Sequence, residues 1–243
     1  METADNKGMR INKYLSDRGI CSRREADRLI EDGRVTVNGR RALTGERIDG
    51  SDVVTVDGRT VSENTSDRKV IIAYNKPRGV VCTSEKREKH NIIKAIDYPV
   101  RIYPIGRLDK DSNGLIFLTN DGSVVNKLMR ARYRHEKEYE VTVDKPLDEV
   151  FIKKMSGGVP ILDTVTRPCT VVKTGDKSFN ITLTQGLNRQ IRRMCEYLGY
   201  RVVTLKRIRI MNIELGDLRE GTYRELTDEE ISILLSMCTE YNG

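Results

Sequence analysis

The segment YPIGRLDKDSNGLIFLTNDG, Tyr103 to Gly122, sets an aspartate two residues behind an arginine in a polar turn ahead of an apolar run. A carboxylate in such a turn can act as a covalent nucleophile or move a proton, provided basic neighbours keep it ionised and oriented. Asp109 is that carboxylate. Arg107, Lys110, Asp111, Ser112 and Asn113 surround it with groups able to cap and constrain the turn, and Gly114 permits an unusual backbone angle. Two further residues could share its chemistry. Tyr139 lies in the alternating run EKEYEVTV with the parity of Val141 and Val143, so a strand would present its ring as a flat surface for a nucleobase. Arg192 follows Ile191 at the edge of an apolar helix face, where its side chain can reach a cleft that Arg193 cannot. Carboxylate, stacking ring and arginine together suit an enzyme acting on an RNA base, which must leave its stack to be reached. The same residues also fit a turn aspartate, a strand tyrosine and a snorkelling arginine in a plain RNA-binding protein.

Other chemistries lack their residues. No GxxxxGK[ST] loop occurs, and TGDKS, Thr174 to Ser178, has the composition of a hairpin turn without the upstream glycine of a phosphate loop. The five cysteines are dispersed, form no CxxC pair, and are accompanied by only two histidines, His90 and His135, so no metal site or cofactor is expected. The thiols fit a reducing compartment, and the histidines are expected at the surface or in an interface rather than as general bases. No apolar stretch approaches ~20 residues. A cytoplasmic protein without membrane contact follows as the expectation, with a monomer as the default.

The elements that must position these residues fall into two groups. A polar tail is expected over residues 1–9. Over residues 10–62, RINKYLSDRGICSRREADRLIEDGRVTVNGRR reads as helix, turn, helix, turn and short strand. Ser22 and Glu25 have capping-box spacing, Gly33 is a helix stop, and Asn38-Gly39 signals a hairpin. The polar, aperiodic segment from Ser62 to Asp67 marks a boundary, and a second domain is expected over residues 68–243. There KVIIAYN, GLIFLTN, KEYEVTVDKP, TVTRPCTVV, SFNITLTQG and VVTLKRIRIMNIEL have strand composition. GSVVNKLMR, DEVFIKKM and NRQIRRMCEYLGY read as helices, as does a last segment capped by Thr227 and Glu230. Strands outnumber helices and few helical crossovers separate them, so the fold class is α+β: a mixed, mainly antiparallel sheet with helices outside.

With 43 Lys+Arg against 36 Asp+Glu, the net charge of +7 favours an anionic partner. It collects locally: from Gln185 to Arg209 seven basic residues face Glu196 alone. Arg189 and Arg193 share an exposed helix side, where arginine forks suit phosphate oxygens. In the first domain Arg23 and Arg24 sit at a helix N-terminus that itself favours anions, and Lys13 and Arg28 extend the patch. From Asn126 to Glu140 five basic residues, among them Lys127 and Lys137, accompany three acidic ones. RNA is the expected partner.

RINKYLSDRGICSRREADRLIEDGRVTVNG resembles an S4 domain, a small RNA-binding module. PIGRLDKDSNGLIFLTNDG, HEKEYEVTVDKP and LTQGLNRQIRRMCEYLGY, in that order and spacing, resemble the RsuA/RluB/RluE/RluF group of rRNA pseudouridine synthases. The likeness runs from residue 10 to about residue 237. It implies a small S4-type α/β domain followed by a pseudouridine synthase domain with a large mixed sheet flanked by helices. It also implies isomerisation of uridine to pseudouridine without a metal or organic cofactor. By the same resemblance Asp109 is the catalytic aspartate, Tyr139 stacks on the target uracil, and Arg192 pairs with Asp109. Arg107 helps displace the flipped base, Leu205 lines the uracil pocket, and Lys76 of NKPRG belongs to a structural motif near the cleft. GRLDKDSNGLIFLTNDG, VNKLMRA and GVPILDTVT look most like the RluF branch, which implies 23S rRNA as substrate and the anticodon uridine of tyrosine tRNA as a second one. The Lys-rich C-terminal tail of that branch does not follow Tyr241-Asn242-Gly243 in this sequence, so RNA affinity is expected to lean on the S4-like domain. Two alternatives stay open: the same chemistry on 16S rRNA, and an inactive RNA-binding or ribosome-assembly factor.

Overall fold

Short apolar runs and well-placed caps build the first unit. The computed structural model describes residues 8–61, 68–85, 87–129 and 135–238. They divide between two units, Met1–Lys69 and Val70–Gly243. In the first unit β1 (Met9–Arg10) leads into α1 (Ile11–Asp17) and α2 (Arg23–Glu31), followed by β2 (Val35–Val37), β3 (Arg40–Arg41), β4 (Arg47–Ile48), β5 (Val54–Val56) and β6 (Arg59–Thr60). Ser22 caps α2 by accepting a hydrogen bond from the Glu25 N–H at 3.2 Å, which satisfies one of the orphan donors of the first turn. The helix then buries Ala26, Leu29 and Ile30 against Ile11, Leu15, Val35, Val37 and Val54. Asn38 and Gly39 both adopt positive φ, 51° and 79°, as a tight hairpin requires. Of the tail expected over residues 1–9, Met9 pairs with Ile48 in a strand, while residues 1–7, like the boundary segment 62–67, lie outside the described residues.

The second unit is organised by one large sheet. In chain order it contains β7 (Ile71–Lys76), α3 (Ile92–Ile96), β8 (Tyr103–Ile105), β9 (Asn113–Thr119), α4 (Gly122–Met129), β10 (Lys137–Val143), α5 (Glu149–Gly157), β11 (Pro160–Ile161), β12 (Thr164–Val165), β13 (Thr170–Gly175), β14 (Ser178–Leu183), α6 (Gln190–Tyr197), β15 (Val202–Ile210), β16 (Ile213–Glu214), β17 (Tyr223–Glu225) and α7 (Asp228–Ser236). The sheet order is β13-β14-β10-β15-β9-β7-β17, with β16 on β15 and β8 on β9. Every neighbour pair is antiparallel except β15 and β9, which meet in parallel at Lys206↔Asn113 and Arg207↔Gly114. The architecture is therefore α+β, a mixed and mainly antiparallel sheet flanked by helices. Strand alternation sends Ala73, Leu115 and Phe117 to one face, under Val124 and Leu128 of α4 and Leu234 of α7. Ile72, Tyr74, Ile116 and Leu118 go to the other, against Ile92 and Ile96 of α3. Farther along the sheet, Val141, Phe179 and Ile181 pack with α5 and with Ile191, Met194 and Cys195 of α6. At α7 the expected capping box forms in both directions, with Thr227 and Glu230 each accepting from the other's N–H.

Two extended segments differ from the sequence expectation. TVTRPCTVV is not one strand: β12 turns back on β11, and β13 begins only at Thr170. Pro168 has no N–H to give a ladder and interrupts the run. VVTLKRIRIMNIEL stops as a strand at Ile210, because Met211 takes a left-handed conformation, φ 53°, and returns the chain as β16. Among the described residues no helix is long and apolar enough to cross a membrane.

Candidate active site

The Asp109 turn connects β8 to β9, two strands paired antiparallel from Tyr103↔Thr119 to Ile105↔Phe117. It is fixed from several sides. Gly106 enters it at φ 80°. The Ser112 N–H donates to the Asp109 carbonyl at 3.1 Å, and the Gly79 N–H donates to the Lys110 carbonyl at 2.8 Å. Leu108 is buried, and its N–H donates to Cys82 Sγ at 3.4 Å. Between these ties the Asp109 side chain stays 35% exposed. Next to the turn Lys76 is fully buried and spends its ammonium on the Pro77 and Val80 carbonyls at 2.8 and 2.9 Å. Burial pulls its pKa down, consistent with a structural role for that lysine.

Asp109 opens onto a cleft of about 500 Å³ whose lining includes Arg107, Lys137, Tyr139, Leu205 and Arg207. Sheet register brings the strand residues there. Tyr139 stands opposite Arg207, and Val141 opposite Leu205. Lys137 shares the parity of Tyr139, so both side chains leave β10 on the same face. Leu205 is buried and apolar, Tyr139 is half-buried, and Arg107 is exposed. Arg207 is only 4% exposed. Its guanidinium lies 5.9 Å from the Tyr139 ring centroid, and its Nε donates to the Leu115 carbonyl at 2.6 Å. A carboxylate beside a half-buried ring and an apolar wall can hold and attack a planar, uncharged ring system.

The arginines differ from expectation. Arg192, expected to pair with Asp109, instead donates through Nη2 to the Asp111 carbonyl at 3.0 Å and to Ser112 Oγ at 3.3 Å, and through Nη1 to the Val202 carbonyl at 3.4 Å. Its guanidinium is occupied in holding the backbone behind Asp109, and burial, then the nearby Arg189 charge, pulls its pKa down. Among the described residues the cation that reaches Asp109 is Arg189, 3.9 Å from that carboxylate and 3.8 Å from Asp111. Arg189 was expected on an RNA-facing helix side. It precedes α6 at φ 50°, a left-handed conformation, in a loop that buried Gln190 closes by accepting from the Leu187 N–H at 3.0 Å.

The remaining sequence-derived residues sit elsewhere. Arg193 donates to the Asn188 carbonyl at 3.1 Å. In the first unit Lys13 pairs with Asp17 at 2.5 Å and Arg28 with Glu25 at 3.6 Å. Arg23 and Arg24 are exposed and form no ion pair among the described residues. Arg130, Arg132 and Arg134 of the basic cluster lie outside the described residues. His90 is exposed, whereas His135 is buried beside the cleft with Nδ1 2.9 Å from the Leu128 carbonyl, contrary to a surface placement. Among the described residues no three His, Cys, Asp or Glu side chains cluster as a metal site would need. Sequence reasoning missed Lys137 and Arg207 as cleft residues. The parity of Lys137 with Tyr139 was a usable signal, and so was that of Arg207 with Leu205, two residues earlier on β15.

Comparison with known proteins bears on this geometry. Residues 70–197 match the family described as RNA pseudouridylate synthase, and residues 9–54 match the S4 domain. A protein of Salmonella typhi named dual-specificity RNA pseudouridine synthase RluF is 56% identical over 94% of this chain and 79% of its own length. Its namesake from Escherichia coli K12 is 54% identical over 96% and 80%. Ribosomal large subunit pseudouridine synthase B of Bacillus subtilis is 34% identical over 94% of this chain and 96% of its own. A crystal structure of a pseudouridylate synthase superposes with a TM-score of 0.68 at 28% identity, covering 93% of this chain and 99% of the other.

Proposed function

The chain belongs to the RNA pseudouridylate synthase family, and from that premise we propose that it converts a uridine of 23S rRNA to pseudouridine with Asp109 as the reacting carboxylate. The observation that carries the residue assignment is the cleft itself: one partly exposed carboxylate faces a half-buried tyrosine ring and an apolar wall. A uridine swung out of its stack would lie on Tyr139 with Leu205 beside it. Asp109 then acts on the ribose or on the base, while Arg192 holds its turn and Arg107, exposed at the mouth, contacts the RNA left behind. The enzyme works as a single chain in the cytoplasm and needs no added cofactor. The dual-specificity name of the RluF relatives favours a second substrate, for which the resemblance of the sequence to that branch nominates the anticodon uridine of tyrosine tRNA.

Pseudouridine mapping of total rRNA and tRNA from cells with and without the gene tests both substrates. One large-subunit site is expected to disappear, together with one tRNA site; loss of a small-subunit site alone would overturn the rRNA assignment. Asp109→Asn keeps the shape of the side chain and removes its charge. It is expected to bind RNA within a fewfold of the parent protein and to form no product, and normal turnover would remove Asp109 from its role.

A further inference from the structure

Two strand cations in the lining of the Asp109 cleft, Lys137 and Arg207, stand apart from exposed Arg107 at its mouth. Among the described residues neither Lys137 nor Arg207 forms an ion pair. Arg207 is nearly inaccessible and bonds only to main-chain carbonyls, those of Leu115 at 2.6 Å and Arg107 at 3.5 Å. Among the described residues the Lys137 ammonium makes one long hydrogen bond, 3.3 Å to the His135 carbonyl, although an ammonium has three donors. Arg207 is buried and Lys137 half-buried, with Asp109 the one carboxylate in the cleft's described lining. Cations held there without an ion-pair partner are costly, which favours a ligand that is negatively charged while it occupies the site. Burial, and then the Arg207 charge, lowers the Lys137 pKa to about 8, which leaves the ammonium mostly protonated at neutral pH.

The wall around these cations decides between two anions. Lys137 shares its strand face with Tyr139, and Leu205, Ile210 and Met211 line the same cavity. An aromatic and aliphatic wall suits a flat base and not a hydrated phosphate, for which exposed Arg107 at the rim is better placed. Turning an N-glycoside into a C-glycoside supplies an anionic base. When the C1′–N1 bond breaks heterolytically its electron pair leaves on N1, and the charge spreads to O2 and O4 of the uracil. C1′ is meanwhile satisfied either by a bond to an Asp109 oxygen or by a double bond to C2′ as Asp109 takes the C2′ proton. Closing C1′–C5 returns Asp109 to its carboxylate, in the second case after it gives its proton back to C2′. The C5 proton is then lost and N1 gains one, so the sum is an isomerisation. We infer that Lys137, backed by Arg207, is a catalytic residue that holds the departing uracil as its anion. This rests on the pseudouridine-forming reading of the cleft.

The test uses full-length protein and in vitro transcribed 23S rRNA made with uridine or with 5-fluorouridine, whose base is a less basic leaving anion. Because fluorine blocks the final loss from C5, the readout is single-turnover loss of the target nucleoside. Lys137→Met is expected to slow this step by about 100-fold on uridine RNA, the scale of removing one preorganised donor. RNA affinity and its salt dependence should stay unchanged, and the defect should shrink at least several-fold on 5-fluorouridine RNA. Equal defects on both RNAs would overturn the inference, as would an unaffected rate. Weaker binding with a shallower salt slope and a normal rate would also overturn it, and would assign Lys137 to a phosphate. If thermal melting shows Lys137→Met to be unfolded, Lys137→Gln replaces it under the same outcomes. Parent protein in the same assay separates the two levels: no pseudouridine from it would fail the functional reading, whereas normal product from it with an unaffected variant fails only the role of Lys137.

Discussion

At the residue scale, Arg189 and Arg192 divide a task that the sequence assigns to one arginine. Arg192 is half-buried and bonds to the Asp111 carbonyl and to Ser112 Oγ. Replacing it with methionine keeps the side-chain bulk but leaves those acceptors without their donor, at a cost of about 1–3 kcal/mol. The same change lets the Asp109 turn drift, and a misplacement of about 1 Å can cost roughly 100-fold in rate. Arg192→Met is therefore expected to lower both the melting temperature and the single-turnover rate. Arg189→Ala removes partly exposed ion pairs at 3.9 and 3.8 Å, a class worth about 0–1 kcal/mol each, and its melting temperature should stay close to that of the parent protein. Paired melting curves decide the division, and a larger loss for Arg189→Ala than for Arg192→Met would reverse it. Helical periodicity made Arg192 readable as the cleft-side arginine, because a helix face follows from spacing. It misled for Arg189, whose left-handed backbone at the start of α6 aims the side chain by loop geometry rather than by helix phase.

At the element scale, alternation and capping made the strands and helices legible, while their neighbours in space stayed hidden. The Ser22 and Thr227 caps and the alternation of KEYEVTV appear in the structure where local chemistry puts them. Nothing local states that β10 lies between β14 and β15, or that β15 runs parallel to β9. That pairing is what sets Lys137, Tyr139, Leu205 and Arg207 around the Asp109 turn. Its tightest point is Gly114, at φ 104°, where an added Cβ would meet the Arg207 carbonyl oxygen at 2.3 Å and its nitrogen at 2.6 Å. Both the backbone angle and the approach of β15 demand glycine there. Gly114→Ala should destabilise the protein by about 2–3 kcal/mol from strain and displaced backbone, and should slow catalysis beyond what the unfolded fraction explains. Denaturant unfolding alongside single-turnover rates would check it, and a variant with parent-like stability would show that the two strands have room to part.

At the scale of the whole molecule, charge and domain content divide the work of recognition. Residues 1–60 hold 12 basic and 11 acidic groups, so RNA binding by the first unit would rest on the arrangement of charge and not on its excess. Lys13 and Arg28 each have a carboxylate at ion-pair distance within one helical turn, which reduces what they offer a phosphate. Arg23 and Arg24 occupy the first turn of α2 and are exposed. There the helix N-terminus adds its own attraction for an anion. Among the described residues, each hydrophobic core cluster is made up of residues of a single unit. Surface changes in one unit should therefore leave the other folded. Replacing both Arg23 and Arg24 by alanine should weaken rRNA binding by about tenfold or more at moderate salt. The slope of log affinity against log salt should become shallower by about 1 to 2, roughly one for each phosphate no longer neutralised. Single-turnover rates at saturating enzyme should hold, because the described lining of the cleft comes from the second unit. Binding titrations across a salt series measure each quantity. An unchanged slope would exclude this helix start from RNA binding, and a greater loss from Lys13→Ala with Arg28→Ala would move that role to the paired cations.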